Sequence, residues 1–354
     1  MALFPVTDYD RKVYEEELRD FLPSKMIDIH THIWLESLRP NKVLPGEVRR
    51  TVTWPDLVAR DNSIEDLLET YKLMFPDKQV TPLVFTSGKP PYLQGLNEYV
   101  KEVHARTGVP ALYYSHPGES GEELERKIRE GGFLGLKSYL ALSPSYIPEA
   151  EIRIFDFFTP DQLKKMDELG AIVMLHIPRH GRLKDPVNLA QILEIKERFP
   201  RVRLIIAHIG RAYAVNDVGN AFDVLAPAKD LMFDFCANTC EYAMTKLLEA
   251  VGPTRAMFGS DMPILRMRMR RIEENDTYVN LVPPGMYGDI SGDPHMREVS
   301  KEEGERLTFF MYEEILAFKR ACRNVGFTPA DVERCFYLNA KELIDGARRD
   351  IYGE

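Results

Sequence analysis

The sequence is poor in cysteine, with four among 354 residues. Cys236 and Cys240 lie four positions apart, while Cys322 and Cys335 are distant from both. This spacing shows neither a disulfide framework nor a pair of Cys-x-x-Cys zinc motifs. We therefore expect free thiols, most of them buried as small hydrophobic side chains.

The sequence also lacks an apolar run long enough to cross a bilayer, which argues against a membrane partner. Its first residues become acidic within ten positions and do not follow the basic-then-apolar order of a secretory signal, so we expect a cytoplasmic protein. With 46 basic and 55 acidic residues, the net charge is −9, which disfavours a nucleic-acid partner. An anionic ligand would therefore need a local basic cluster.

Eight short apolar runs recur along the chain, separated by segments with helical periodicity. Several of these runs are continuously apolar, which is typical of parallel strands covered on both faces. The predicted strands are 26–32, 80–86, 109–115, 133–139, 171–176, 202–208, 230–235 and 256–261. A glycine-rich phosphate loop does not follow the first strand, which disfavours a doubly wound nucleotide-binding sheet.

The segments between these strands carry helix signals. Residues 159–170 begin with Thr159 and Pro160 and end with a glycine, 185–199 opens with Asp-Pro, and 62–74 has apolar residues on one face. This alternation predicts an α/β fold, a single (β/α)8 TIM barrel. We expect one domain over 1–354, with the core at about 24–262.

Four stretches lie outside the repeat. They are an N-terminal helix near 8–21, a long connection at 33–61, a loop insertion at about 262–300, and C-terminal helices at 304–323 and 328–348. A loop as long as 262–300 usually has a function. Its length suits a lid or a dimer contact, so the sequence leaves a homo-oligomer open.

The stretch "MIDIHTHIW" places His30 and His32 two positions apart in the first strand, so both side chains project from one face. In such a barrel the chemistry lies at the C-terminal ends of the strands. The polar residues predicted there are His30, His32, His116, Lys137, His176, His208 and Asp261. Most of the eight histidines thus fall at one rim, which predicts a metal site.

The order of these motifs resembles a known family. "HTH", "VMLHIP", "LIIAHIG", "FGSDMP" and "YLNAKELI" are similar to motifs of the amidohydrolase superfamily. They most resemble its amidohydrolase-related branch of metal-dependent hydrolases and decarboxylases, which includes aminocarboxymuconate semialdehyde decarboxylase. The resemblance implies that His30, His32 and His176 are metal ligands and that Asp261 completes the site. It also implies that His208 acts on the substrate or on its bound water.

Three imidazoles and a carboxylate suit one divalent ion, for which we expect zinc, with manganese as the alternative. In such a site Asp261 is placed to orient water or accept its proton, and His208 to polarise the substrate or protonate a leaving group. Lys137 could be a carboxylated bridge between two metals, as in binuclear members of the superfamily. We favour a single metal with Lys137 as a free ammonium facing the substrate, and a structural salt bridge is the competing interpretation.

Arginines follow several rim residues, and arginine forks match carboxylates, so we expect a small anionic substrate. Arg179 and Arg211, each three residues past a rim histidine, are the predicted anchors. His116 and Tyr139 are further candidates for substrate binding. The predicted function is hydrolysis of an ester, lactone or amide of a small carboxylated molecule. Non-oxidative decarboxylation is the alternative, and an inactive or metal-free barrel with a binding role is a third.

Overall fold

The structure, a computed structural model, describes residues 3–39, 50 and 55–354. Eight parallel strands form its centre. They are β1 (Lys25–His32), β2 (Gln79–Phe85), β3 (Tyr113–Tyr114), β4 (Gly135–Lys137), β5 (Ile172–Leu175), β6 (Arg203–Ile206), β7 (Met232–Asp234) and β8 (Ala256–Met257). All eight predicted strands are present, and most are shorter than their apolar runs.

Helices occupy the connections between the strands and both ends of the chain. They are α1 (Asp8–Val13), α2 (Pro55–Val58), α3 (Ile64–Met74), α4 (Leu93–Thr107), α5 (Gly121–Gly131), α6 (Pro160–Leu169), α7 (Pro186–Arg198), α8 (His208–Arg211), α9 (Ala221–Leu225), α10 (Glu241–Val251), α11 (Lys301–Gly304), α12 (Phe310–Val325), α13 (Pro329–Glu333) and α14 (Asn339–Tyr352). The middle of the predicted 33–61 connection, residues 40–49 and 51–54, lies outside the described residues.

Hydrogen bonds join the strands into a ring. Strands β3 to β8 form one parallel sheet in sequence order, and β1 pairs with β2. A parallel bridge between Val84 and Ala111 links β2 to the β3 segment. The last seam joins the β8 segment to β1, where Ile29 N–H donates to Phe258 O at 3.0 Å and Asp261 N–H donates to His30 O at 2.8 Å. The predicted TIM barrel is confirmed.

Helix α6 shows how local sequence defines these elements. The Thr159 hydroxyl accepts a hydrogen bond from Gln162 N–H, and the Gln162 side chain caps Thr159 N–H in return. Gly170 ends the helix with a φ of 61°, a conformation that glycine adopts readily. The buried Leu163 and Met166 then pack on the barrel. Both ends of this helix agree with the prediction.

Strand β3 is shorter than the predicted 109–115. Pro110 has no N–H to donate, so the segment before Tyr113 is joined to β2 only around Ala111. The C-terminal helices also differ from prediction, because α12 begins at Phe310 rather than at 304. The predicted N-terminal helix divides into α1 and a π-helical turn at Tyr14–Leu18.

The predicted loop at 262–300 contains a small sheet, which corrects the expectation of a loop. Strands β9 (Arg270–Glu274) and β10 (Thr277–Val282) pair antiparallel, and β11 (Met296–Glu298) joins β10 in parallel. The turn residues Asn275 and Asp276 both have positive φ, as a tight two-residue hairpin turn requires. We call β9, β10 and β11 the cap sheet. It contacts the loop after β6 through Val215 N–H, which donates to Glu273 at 2.9 Å.

A buried ion pair ties the start of this segment to the N-terminal helix. The Arg268 guanidinium donates to both carboxylate oxygens of Asp10, at 2.8 and 2.6 Å, and the Thr308 hydroxyl donates to the same carboxylate at 2.8 Å. Helix α1 is therefore held against the barrel. Within the described part of the chain, no helix is both long and apolar enough to cross a membrane.

Candidate metal centre

His30, His32 and Asp261 form a compact group at the C-terminal end of the barrel. Strand β1 carries both histidines on one face, and the seam with the β8 segment brings Asp261 beside them. Asp261 Oδ1 lies 3.1 Å from His32 Nε2 and 3.5 Å from His30 Nε2. The three side chains therefore direct ligand atoms toward one point.

The other nitrogen of each histidine is already bound. His30 Nδ1 lies 2.9 Å from Asp234 Oδ2, and His32 Nδ1 lies 3.2 Å from Thr86 O. Metal-bound histidines typically donate their second N–H to a carboxylate or a carbonyl, which fixes the tautomer and the ring. Both rings are thereby oriented with Nε2 toward Asp261.

Asp234, the last residue of β7, is a functional residue that sequence reasoning missed. Besides His30, its carboxylate accepts the His208 backbone N–H at 2.7 Å and the Cys236 thiol at 2.9 Å. Burial opposes ionisation of Asp234, but His30, His208 and Cys236 outweigh it and lower its pKa to about 2. A carboxylate within the apolar run "LMFDF" was the signal that could have identified it.

His208 lies beside the group at the start of α8, which is a single left-handed turn and not a right-handed helix. His208, Ile209, Gly210 and Arg211 all have φ between 51° and 60°, and Asp261 has a φ of 52°. Strained backbone of this kind clusters at functional sites. The His208 ring lies 4.9 Å from the His30 ring, centre to centre. Burial, aided by nearby His30 and Lys137, lowers the pKa of His208 to about 4 despite Asp261, so the imidazole is neutral near pH 7.

His176 lies at the same rim but outside the compact group. Its ring is 5.2 Å from the His208 ring and 4.5 Å from the Tyr139 ring. Its Nδ1 is buried and has no hydrogen-bond partner among the described residues. Burial, with Arg211 next in effect, lowers the pKa of His176 well below its usual value, which keeps the ring neutral and available as a ligand.

Lys137 is almost fully buried at the end of β4, with Nζ 5.5 Å from the centre of the Phe85 ring. Burial lowers its pKa, although Asp261 and Asp234 act in the opposite direction. In the described part of the chain it forms no ion pair within 4.0 Å. A structural salt bridge within the described residues therefore does not account for Lys137.

Cys236 contacts both His30 and His208. Its Sγ lies 3.0 Å from His208 Nδ1 and 3.3 Å from His30 Nδ1, so these three residues are a second conceivable ligand group. Burial raises the pKa of the thiol well above its usual value, and the thiol donates to Asp234. A protonated thiol is a poor ligand. Gly259 provides space for the His30 side chain, because a Cβ at position 259 would lie 2.9 Å from His30 Cβ.

The donor set fits a divalent cation. The ligand atoms of His30, His32 and Asp261 all lie within 4.8 Å of one another. Imidazole nitrogen with carboxylate oxygen suits zinc and its neighbours among the transition metals. The orphan Nδ1 of His176 and the preset tautomers of His30 and His32 agree with a site arranged for metal.

Of the other residues predicted for the site, two lie near His176 and two do not. Tyr139 contacts His176, and Arg211 donates to Pro178 O at 3.1 Å on the loop that follows His176. Arg179 is bound to Asp185, with Nε 3.1 Å from Oδ1. His116 lines a surface pocket of about 420 Å³ between α4 and α5, where Glu119 accepts its backbone N–H at 2.8 Å.

The fold and this site define a TIM-barrel enzyme with a candidate metal centre. A family model described as Amidohydrolase matches residues 27–345, nearly the whole chain. The chain therefore belongs to the amidohydrolase family, as its motifs predicted. A search of curated proteins finds no match.

Solved structures share the fold at low sequence identity. An amidohydrolase from Burkholderia multivorans with bound zinc has a TM-score of 0.57 and 12% identity, covering 90% of this chain and 99% of its own. A dihydroxybenzoic acid decarboxylase from a Polaromonas species, with bound manganese and 2-nitroresorcinol, has a TM-score of 0.54 and 14% identity, covering 93% and 100%. A candidate 2-pyrone-4,6-dicarboxylic acid hydrolase from Pseudomonas putida has a TM-score of 0.53 and 15% identity, covering 92% and 99%. These likenesses establish the fold, and they include both hydrolases and decarboxylases.

Proposed function

We propose that this chain is a metal-dependent hydrolase that cleaves an ester, lactone or amide of a small carboxylated molecule. The observation that carries the proposal is the group of His30, His32 and Asp261, in which both imidazoles are fixed with Nε2 toward the carboxylate. A divalent ion bound there supplies Lewis-acid chemistry and lowers the pKa of water. We expect one ion, zinc or alternatively manganese, held by these residues with His176.

Asp261 and His208 would carry the proton transfers. Burial opposes ionisation of Asp261, but its interactions with His32, His208 and His30 outweigh burial and hold its pKa well below its usual range. As an ionised carboxylate it accepts a proton from the attacking water. His208, neutral and adjacent, would donate a hydrogen bond to the scissile carbonyl or relay to the leaving group the proton that Asp261 takes from water.

The substrate would be bound through its negative charge. Arg211 lies near His176 and Tyr139 and forms no ion pair with a carboxylate among the described residues. It is therefore a better anchor than Arg179, whose charge Asp185 already neutralises. Lys137, at the end of β4, would add positive charge near Asp261. We further expect a cytoplasmic enzyme that is free of nucleic-acid and membrane partners.

Decarboxylation is the second candidate. It is favoured by the likeness in fold to decarboxylases of dihydroxybenzoic acids. The same residues would then position a substrate carboxylate near His208 and Lys137, and Asp261 would stay close to the reacting carbon. The two reactions differ in their products. Carbon dioxide release identifies the decarboxylase, whereas proton release with ring opening, or amine release, identifies the hydrolase.

The test combines metal analysis with product analysis on lactones, anilides and aromatic carboxylates. We expect about one metal ion per chain in the wild type. His176→Ala should lose metal and activity together, whereas Asp261→Asn should keep part of its metal and lose activity by about a hundredfold or more. His180→Ala is the matched control, because this histidine is exposed on the loop after β5. If both rim variants turn over normally, the assigned site is wrong.

A further inference from the structure

We propose that Arg271 of the cap sheet forms a second anion subsite, which makes the substrate a flat, conjugated dicarboxylate. This inference rests on the proposed function, because it assigns the substrate class of the same site. Arg211 would bind one carboxylate and Arg271 the other. The cap sheet would then be the element that determines specificity.

Arg271 extends from the cap sheet to the barrel rim. Its Nη1 donates to Ala237 O at 2.7 Å, and Ala237 directly follows Cys236, which touches His30 and His208. The neighbouring Arg270 points to the other face of β9, as alternation along a strand requires, and its exposed side chain lies 3.5 Å from Glu313. Strand β9 therefore presents one arginine to the site and one to the outside.

Aromatic rings fix the Arg271 guanidinium in place. Its central carbon lies 4.4 Å from the centre of the Tyr278 ring, 4.8 Å from Tyr213 and 4.7 Å from Phe310. Tyr213 in turn lies 6.4 Å from the His208 ring. Stacking leaves the N–H edge of a guanidinium for hydrogen bonding, and the same rings favour contact with a flat ligand.

Among the residues that the structure describes, no carboxylate forms an ion pair with Arg271. Nε donates to Asn280 at 2.9 Å and Nη1 to a carbonyl, while Nη2 donates to no residue in the described ranges. Nearby Arg182 differs, since Asp217 accepts from its Nη1 at 2.6 Å. Glu314 is also nearby, but it forms no ion pair with Arg271 within 4.0 Å among the described residues, and burial raises its pKa well above the usual value.

Tyr213 connects the two proposed anchors. Its backbone N–H donates to Arg211 O at 2.9 Å, and its ring lies 4.8 Å from the central carbon of the Arg271 guanidinium. Tyr139, Tyr213 and Tyr278 are all partly exposed. Two cations that flank Tyr213 in this chain of contacts match a planar ring with two carboxylates.

The test measures binding of two flat acids to the zinc-loaded protein by calorimetry. Isophthalate carries two carboxylates and benzoate one. We expect the wild type to bind isophthalate at least about tenfold more tightly, because a hydrogen bond to a charged group contributes that much. Arg271→Gln should bring the affinity for isophthalate down to that for benzoate and leave benzoate binding within about twofold. Arg270→Gln, the matched control, should change neither.

Circular dichroism of each variant separates a folding defect from a binding defect. Should Arg271→Gln fail to fold, Arg271→Lys replaces it in the test. The lysine keeps the charge without the fork, so isophthalate should still bind more weakly to Arg271→Lys than to the wild type. Equal binding of the two acids by the wild type, or unchanged isophthalate binding by the folded Arg271 variant, overturns the inference. If either result is obtained while the wild type still binds metal and turns over substrate, only the second subsite is wrong, and the proposed function is unaffected.

Discussion

Two clusters of buried charge in this molecule differ in how completely they are satisfied. Under the N-terminal helix, Asp10 accepts two hydrogen bonds from Arg268, one from the Thr308 hydroxyl and one from Thr7 N–H, so its carboxylate is fully bonded within the chain. At the barrel rim, by contrast, the ligand atoms of His30, His32 and Asp261 lie within 4.8 Å of one another, an arrangement that suits a shared metal ion.

This difference in hydrogen bonding indicates a different role for each cluster. A buried polar group without a partner costs about 1–3 kcal/mol, so a chain keeps such groups where a ligand completes them. The pair of Arg268 and Asp10 holds two segments of the fold together. His30, His32 and Asp261 orient one another, and their ligand atoms are left for a metal ion to bind. Arg268 and Arg271, three positions apart, show the same contrast. Arg268 is paired with the Asp10 carboxylate, whereas Arg271 has no carboxylate partner in the described part of the chain.

Removing Arg268 should give the largest effect on stability. Arg268→Met leaves the Asp10 carboxylate buried without its cation, which should lower the free energy of unfolding by about 3–5 kcal/mol. Urea denaturation measures this, and metal content should not change. Arg270→Met is the control, because that arginine is about half exposed. A loss below about 1 kcal/mol would show that the pair does not anchor α1.

Zinc should stabilise the rim cluster by a smaller amount. At a free concentration of about 100 times Kd, a ligand that binds only the folded state adds about 2.7 kcal/mol. Thermal unfolding with and without zinc should show this gain in the wild type and lose it in His32→Ala. An equal gain in both proteins would place the ion elsewhere.

The pH dependence should give the smallest difference. Burial opposes ionisation of Asp10, but Arg268, Thr7 and Thr308 outweigh it and lower its pKa below the usual 3.8. Asp10 therefore stabilises the fold above that usual value, and this contribution is lost as the pH falls through the lowered pKa. Between about pH 6 and pH 3, urea denaturation should show a larger loss in the wild type than in Asp10→Asn. Parallel losses would contradict this role.

Much of the barrel follows from local pattern. The alternation of apolar runs with capped helices predicted the eight strands and α6 with its end residues. The spacing of His30 and His32 predicted that both would face one way, because a strand has a period of two. Each of these features depends on residues close together in sequence.

Other features depend on contacts between distant segments. The cap sheet was predicted as a loop, since its strands are short and half exposed and carry little periodicity. The link from His30 to Asp234 joins residues 204 positions apart, and no local pattern reports it. His116 was expected at the rim, but it lies in the outer pocket because β3 ends at Tyr114 and the chain turns toward Glu119.

By itself, the sequence determined the order of strands and helices, the rim as the place where histidines gather, and membership of the amidohydrolase family. Periodicity, caps and motifs are local, so they can be read along the chain. Only the tertiary structure decided which arginine is paired with a carboxylate, which nitrogen of each histidine is free, that Asp234 contacts His30 and His208, and that residues 270–298 form a sheet. Those properties depend on the closure of the barrel, which brings β1, β7 and the β8 segment together.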